Sequence, residues 1–202
     1  MKICILGSGA YGLALASRFI KNNNEVVCYS NNQNEIDGLV STRISDKLPS
    51  YNIDERIEFT TDIKRAVSNS NLVVIAVPAK FASSVTKEFS NYLTKDMHIL
   101  IATKGIENDT CLFLNDVVEK NLNTNKIAVI SGPTFAVDIV KDVPIGLTLA
   151  TLNSSTKELV KKLLESDITK LRDTADLIGV EVCGSIKNVM AIVSGMLGGM
   201  GV

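Results

Sequence analysis

The sequence predicts a doubly wound α/β fold on a mostly parallel sheet, followed by the start of an all-helical second domain. Three observations carry this expectation. Short runs rich in Val, Ile and Leu alternate with segments of helical apolar spacing along most of the chain. The first run passes without a gap into a glycine-rich loop and then a helix. Beyond Gly179 no further strand-like run occurs, and one long helical pattern takes over.

The opening unit organises the rest. Lys2-Ile3-Cys4-Ile5-Leu6 reads as a strand, Gly7-Ser8-Gly9-Ala10-Tyr11-Gly12 as a loop, and residues 13–20 as a helix stopped by Asn22-Asn23-Asn24. A G-x-G-x-x-G in this context is a dinucleotide fingerprint. Gly7 makes the tight turn, Gly9 lets backbone approach a pyrophosphate, and Gly12 lets helix lie close on strand. The anion would rest on free amides at the positive end of the helix. The alternative is a glycine turn that serves only packing.

Glu25-Val26-Val27-Cys28-Tyr29 reads as a second parallel strand. A dinucleotide fold usually has an acid near the end of this strand to hold ribose hydroxyls. Here Tyr29-Ser30-Asn31-Asn32 stand there, without acid or arginine, so the choice between NAD and NADP stays open. A short helix is expected over 35–40 and a short strand over 58–60. One or two helical turns follow over 63–67, with Asp62 at their start. Leu72-Val73-Val74-Ile75-Ala76-Val77 is the clearest buried strand, ended by Pro78. Helix is expected over 81–92, strand over 98–102, helix over 110–121 and strand over 127–130. The single histidine, His98, opens its strand and reads as a strand residue rather than a catalyst. Strand over 145–151, helix over 155–164 and a short strand over 168–171 complete the alternation.

In doubly wound sheets ligands bind beyond the carboxyl ends of the strands. The loop 7–12, Ala76-Val77-Pro78, Thr103-Lys104-Gly105 and Ser131-Gly132-Pro133-Thr134 all follow strands, so four unusual loops share one edge. In the last helix Ile186, Met190, Val193 and Leu197 form an apolar stripe beside a stripe of Lys187, Ala191, Ser194 and Gly198. A lysine among small residues on a buried face pays desolvation unless it is used or paired. Such a helix requires close partners, and without them it presents an adhesive face.

Composition excludes several classes. A net charge of −1 gives no footprint for nucleic acid. No apolar stretch is expected to approach the roughly 20 residues that span a bilayer, and the chain opens directly into a strand, leaving no signal peptide. Stable membrane insertion is not expected. Cys4, Cys28, Cys111 and Cys183 lack metal-ligand spacing, so no metal site is expected and a reducing, cytoplasmic location is.

Four blocks in order resemble the NAD(P)-dependent sn-glycerol-3-phosphate dehydrogenases of bacteria. They are the loop 7–12 with Leu13-Ala14-Leu15-Ala16, Ala102-Thr103-Lys104-Gly105, Ser131-Gly132-Pro133-Thr134-Phe135-Ala136, and residues 179–189 with Ile186-Lys187-Asn188. The resemblance runs over the whole chain, and the last two blocks are its specific part. It implies a Rossmann-type NAD(P)-binding domain over 1–178 and the first helix of a truncated helical substrate domain over 179–202. It also implies hydride transfer between NAD or NADP and C2 of dihydroxyacetone phosphate or sn-glycerol 3-phosphate, in glycerophospholipid precursor synthesis. By the same resemblance Lys187 is the general acid/base, and Lys104 touches both substrate and cofactor. Gly132 and Thr134 are substrate contacts. Gly7, Ser8, Gly9, Ala10, Tyr11, Gly12, Asn31, Pro78 and Ala136 are cofactor positions, Asn31 standing where relatives often carry a basic residue. Glu181 and Asn188 are orienting residues at most. The family's arginine and asparagine that clamp the substrate phosphate fall beyond Val202, and a homodimer is a further expectation. The two lysines are expected to lie close enough that mutual repulsion lowers one pKa. A related β-hydroxyacid or imine reductase, or a noncatalytic nucleotide-binding module, are the competing expectations.

Overall fold

A computed structural model describes residues 1–49 and 51–201. The strands are β1 (Lys2–Leu6), β2 (Glu25–Tyr29), β3 (Ile57–Thr60), β4 (Leu72–Ile75), β5 (His98–Ile101), β6 (Ile127–Ser131), β7 (Ile145–Ala150) and β8 (Thr169–Thr174). They form one sheet in the order β3-β2-β1-β4-β5-β6-β7-β8. Neighbours run parallel except β6 and β7, which pair antiparallel. The order reverses between β1 and β4, so a crevice opens beyond their carboxyl ends.

β1 is central because both its faces are apolar. Ile3 and Ile5 join the core that holds Leu13, Leu15 and Phe19. Cys4 and Leu6 point the other way, to Val73, Ile75 and Phe89. All four β1 side chains are fully buried, each of the large ones contributing about 1.5–3 kcal/mol by burial. Cys4 and Cys28 are buried free thiols, their pKa values pushed far up by burial. His98 begins β5 and its Nδ1 lies 2.8 Å from Thr156 Oγ1, a structural bond.

The helices are α1 (Ala10–Lys21), α2 (Gln33–Thr42), α3 (Ile63–Val67), α4 (Ala79–Phe89), α5 (Leu114–Leu122), α6 (Ala136–Val140), α7 (Ser154–Leu164) and α8 (Leu177–Gly199). Asn32, Asp62, Asn153 and Asp176 cap α2, α3, α7 and α8 by accepting from backbone amides.

The structure departs from expectation at several elements. The helix expected from 110 begins at Leu114, because Glu107 draws Thr110 back through its amide and hydroxyl and Ile106 bridges Phe113. The strand expected over 168–171 extends to Thr174, where it has β7 to pair with along its length. α6 was not expected, being too short to show a period. α8 begins at Leu177, two residues early, and its 23 residues, with a mean hydropathy of 1.5 over an 18-residue stretch, are long and apolar enough to cross a membrane by length and composition. That corrects the expectation that no stretch reaches such a length; Glu181, Lys187 and Asn188 interrupt the apolar run, so only the helix taken as a whole meets it. The stripes on α8 are not buried either. Ile186, Met190, Val193 and Leu197 are 44–60% exposed, as are Ala191, Ser194 and Gly198 on the neighbouring stripe. Val202, the last residue of the expected second domain, lies outside the described residues.

Candidate functional site

The glycine loop has the geometry its spacing predicts. Gly7 has φ +118°, and a Cβ there would stand 2.7 Å from the Ala76 carbonyl oxygen. A Cβ on Gly12 would collide with the Gly7 carbonyl. Gly9 differs, since its missing side chain would project into open space. Gly9 is also the N-cap of α1, without a side chain to cap and with no acid in the first turn. The first intrahelical bond runs from Leu13 N to Gly9 O, which leaves the amides of Ala10, Tyr11 and Gly12 for an anion. These features fit a bound pyrophosphate.

Beside this loop lies a cleft of about 400 Å³, lined by Gly7, Ser8 and Gly9, by Ser30 and Asn31 after β2, and by Pro78 at the start of α4. Asn31 is exposed at its rim. Two of its charged residues were not foreseen, Glu35 from α2 and Lys47. The Ser30 hydroxyl donates to Glu35 Oε2 at 3.0 Å, and Lys47 Nζ stands 2.5 Å from Glu35 Oε1. Burial pushes the Glu35 carboxyl up, but hydrogen bonds from Lys47, Ser30 and Ser8 outweigh it and hold it below its ordinary range. The signal was present as Asn32-x-x-Glu35, the spacing of a capping box. Only half the box forms. Asn32 Oδ1 takes the Glu35 amide, while the Asn32 amide goes to Ser30 and leaves the glutamate side chain for the cleft.

The second half of the site lies at the ends of β5 and β6. The Thr103 hydroxyl donates to the carbonyls of Ile75 and Val77 at 3.1 and 2.8 Å. Lys104 Nζ donates to Gly132 O at 3.4 Å and stands 5.1 Å from the centre of the Tyr11 ring. Burial first, and the charge of Lys187 second, hold the Lys104 amine below the ordinary lysine range. The charge of Lys187 thus reaches the Lys104 amine. Lys187 is half-buried, with Nζ 4.8 Å from the centre of the Phe135 ring. It lines a cavity of about 520 Å³ with Ser131, Gly132, Pro133 and Cys183. Gly184, one turn before Lys187, lets α8 close down; a Cβ there would stand 2.9 Å from Ser131 Oγ and 3.9 Å from Lys104 Cγ.

Thr134 is not a helix cap, since Phe135 occupies that place for α6. Its Oγ1 is buried without a hydrogen-bond partner, as is the Tyr11 phenol oxygen. Burial raises the Tyr11 pKa and the neighbouring Thr134 hydroxyl offsets part of the rise. The two groups face each other without closing a hydrogen bond, an arrangement that a polar ligand would complete. Ala136 starts α6 and packs against the same core as Ala10 and Tyr11, and it is not among the residues that line the cleft. Glu181 does not pair with Lys187. Its Oε1 accepts the Asn115 amide at 3.1 Å, burial raises its pKa to about 7, and it ties α8 to the otherwise uncapped start of α5.

Comparison with known proteins bears on the fold and the family. The family model described as "NAD-dependent glycerol-3-phosphate dehydrogenase N-terminus" matches residues 2–157. A glycerol-3-phosphate dehydrogenase (NAD(P)+) of a Thermoanaerobacter species is 33% identical over 201 residues, covering 100% of this chain and 61% of the relative. One from Wolbachia pipientis is 33% identical, covering 98% and 60%. The crystal structure of glycerol-3-phosphate dehydrogenase from Coxiella burnetii superposes with a TM-score of 0.91 at 29% identity, covering 98% of this chain and 61% of that one. The chain thus spans about six tenths of the length of the curated relatives it matches. With most of its residues matched by the family model, the chain belongs to the NAD-dependent glycerol-3-phosphate dehydrogenase N-terminus family.

Proposed function

We propose that the chain is the nucleotide-binding part of an oxidoreductase that moves hydride between NAD(P)H and C2 of dihydroxyacetone phosphate, giving sn-glycerol 3-phosphate. The observation that carries the reading is the convergence of Lys104, Gly132 and Lys187 beside Tyr11 of the glycine loop, at one edge of the sheet. When bound, the nicotinamide cofactor supplies or accepts the hydride. The amides of Ala10, Tyr11 and Gly12 would hold its pyrophosphate, with Ser8, Gly9, Asn31 and Pro78 along its path and Ala136 a further cofactor position. Lys187 gives or takes the proton at the C2 oxygen. Lys104, held at reduced basicity between Gly132 and the Tyr11 ring, orients the substrate and reaches both partners of the transfer. Gly132 offers its backbone and Thr134 its open hydroxyl to the substrate.

The same reading divides the chain into a dinucleotide-binding domain over 1–178 and the first helix of a substrate domain over 179–202. The exposure of α8 beyond Asn188 supports that division, since a helix so apolar calls for further chain against it.

The test is to mix the chain with NADH or NADPH, add dihydroxyacetone phosphate and follow the absorbance of the reduced nicotinamide. Saturable binding is expected with either form, and Lys187→Met abolishes whatever turnover is present while leaving the nucleotide dissociation constant within about threefold. Binding without turnover assigns this chain to nucleotide binding alone; no binding overturns the proposal. In an active form, Lys104→Met removes the group of depressed pKa and moves the basic limb of the pH–rate profile upward.

A further inference from the structure

The second strand ends without the acid that usually holds the adenosine ribose, yet a carboxylate occupies the neighbourhood from another element. We propose that Glu35 is the specificity-determining residue of the nucleotide cleft, accepting from the ribose 2′-hydroxyl of NAD and turning away the 2′-phosphate of NADP. The inference rests on the dinucleotide reading above and deepens it.

Three observations support it. Glu35 lines the cleft together with Ser8 of the glycine loop and Ser30 and Asn31 at the end of β2, where ribose hydroxyls lie in a dinucleotide fold. Its carboxylate is held in place rather than left to swing: the Ser30 hydroxyl takes Oε2, Lys47 takes Oε1, and the side chain is only 19% exposed. An ordinary capping glutamate would reach back to the Asn32 amide, and that amide is bound to Ser30 Oγ instead. The charges in the cleft also point one way. Its lining carries two carboxylates, Glu35 and Glu88, against one amine, Lys47. Lys47 is already paired with Glu35, and Glu88 accepts from the Tyr29 phenol at 3.3 Å. A 2′-phosphate would meet a net negative wall at short range, in a partly desolvated place where like charges repel strongly. A ribose hydroxyl would find an oriented acceptor.

Lys47 has the opposite effect on the same balance. It orients Glu35 and tempers its charge, so the two residues are expected to shift selectivity in opposite directions.

The test measures dissociation constants of NADH and NADPH by titration calorimetry for the unaltered chain, Glu35→Gln and Lys47→Met. The unaltered chain is expected to bind NADH at least about tenfold tighter than NADPH. Glu35→Gln, which keeps a carbonyl for Ser30, narrows that ratio by about tenfold, chiefly by improving NADPH. Lys47→Met widens it. A general loss of fold or of cleft shape would weaken both nucleotides together and leave the ratio where it was. If neither nucleotide binds the unaltered chain, the dinucleotide reading fails and this inference with it. If both bind and the ratio favours NADPH, or does not move in Glu35→Gln, the inference alone is overturned.

Discussion

The two ends of the chain solve opposite problems. From Ile3 to Leu6 and from Gly12 to Ile20 every side chain is buried, and the turn between them is so close that Gly12 has no space for a methyl group. In α8 only Glu181 is buried, although the helix is longer and more apolar than α1. Apolar character alone therefore does not give burial; position against the sheet does. α1 lies along β1 and between α6 and α7, whereas α8 touches β6 and β7 near its start and then leaves them. The nucleotide half of the site is built from the first kind of structure and Lys187 from the second. One half is a rigid cradle completed within the chain, and the other hangs on a helix secured chiefly at one end.

Substitutions can break or sharpen that contrast. The largest effect is expected at Gly12→Ala, whose methyl would strike the Gly7 carbonyl. It should cost about 3 kcal/mol or more in urea unfolding, and Leu15→Ala nearby about 2–5 kcal/mol. Gly9→Asp separates fold from function in the same loop. The added side chain points into open space and suits an N-cap, so the thermal midpoint should hold or rise, while nucleotide binding falls about 100-fold by charge repulsion. A loss of stability instead would show that Gly9 serves packing.

At the root of α8 the measurable quantity is a pH slope. Glu181 has its pKa raised by burial from 4.5 to about 7, so the folded chain keeps a proton that the unfolded chain has lost. Its stabilising contribution is complete below about pH 4.5 and disappears as pH rises toward 7. Chemical unfolding at pH 5 and pH 8 should differ by about 1–2 kcal/mol from this group, after allowance for solvent screening. Glu181→Gln should flatten that difference. The smallest effect on stability is expected at Met190→Lys, within about 0.5 kcal/mol because the residue is 60% exposed. The same change should weaken self-association in light scattering, since it places a charge on the uncovered apolar face.

The strands and the glycine loop were legible because their signals are local. A run such as Leu72-Val73-Val74-Ile75 has one plausible environment, and Gly7, Gly9 and Gly12 each answer a separate backbone demand. Lys104 and Lys187 were singled out through resemblance, and Gly184 lets α8 close over Ser131 beside the Lys104 side chain. What escaped has nonlocal causes. Glu35 sits in a sequence that reads as a helix start, and only the diversion of the Asn32 amide to Ser30 frees its carboxylate. The late start of α5 depends on Glu107 drawing back Thr110, and the hold on its first turn comes from Glu181, 66 residues beyond Asn115. The burial expected around Lys187 failed for a simpler reason: periodicity tells which residues share a face, not what lies opposite it.

The Thr103 hydroxyl has a mechanical consequence. By donating to both Ile75 and Val77 it rivets the tip of β5 to the tip of β4, so these two strand ends, which lie on one side of the crevice, travel as one piece. Lys104, the next residue along, is thereby set in place by β4 as well as by its own strand.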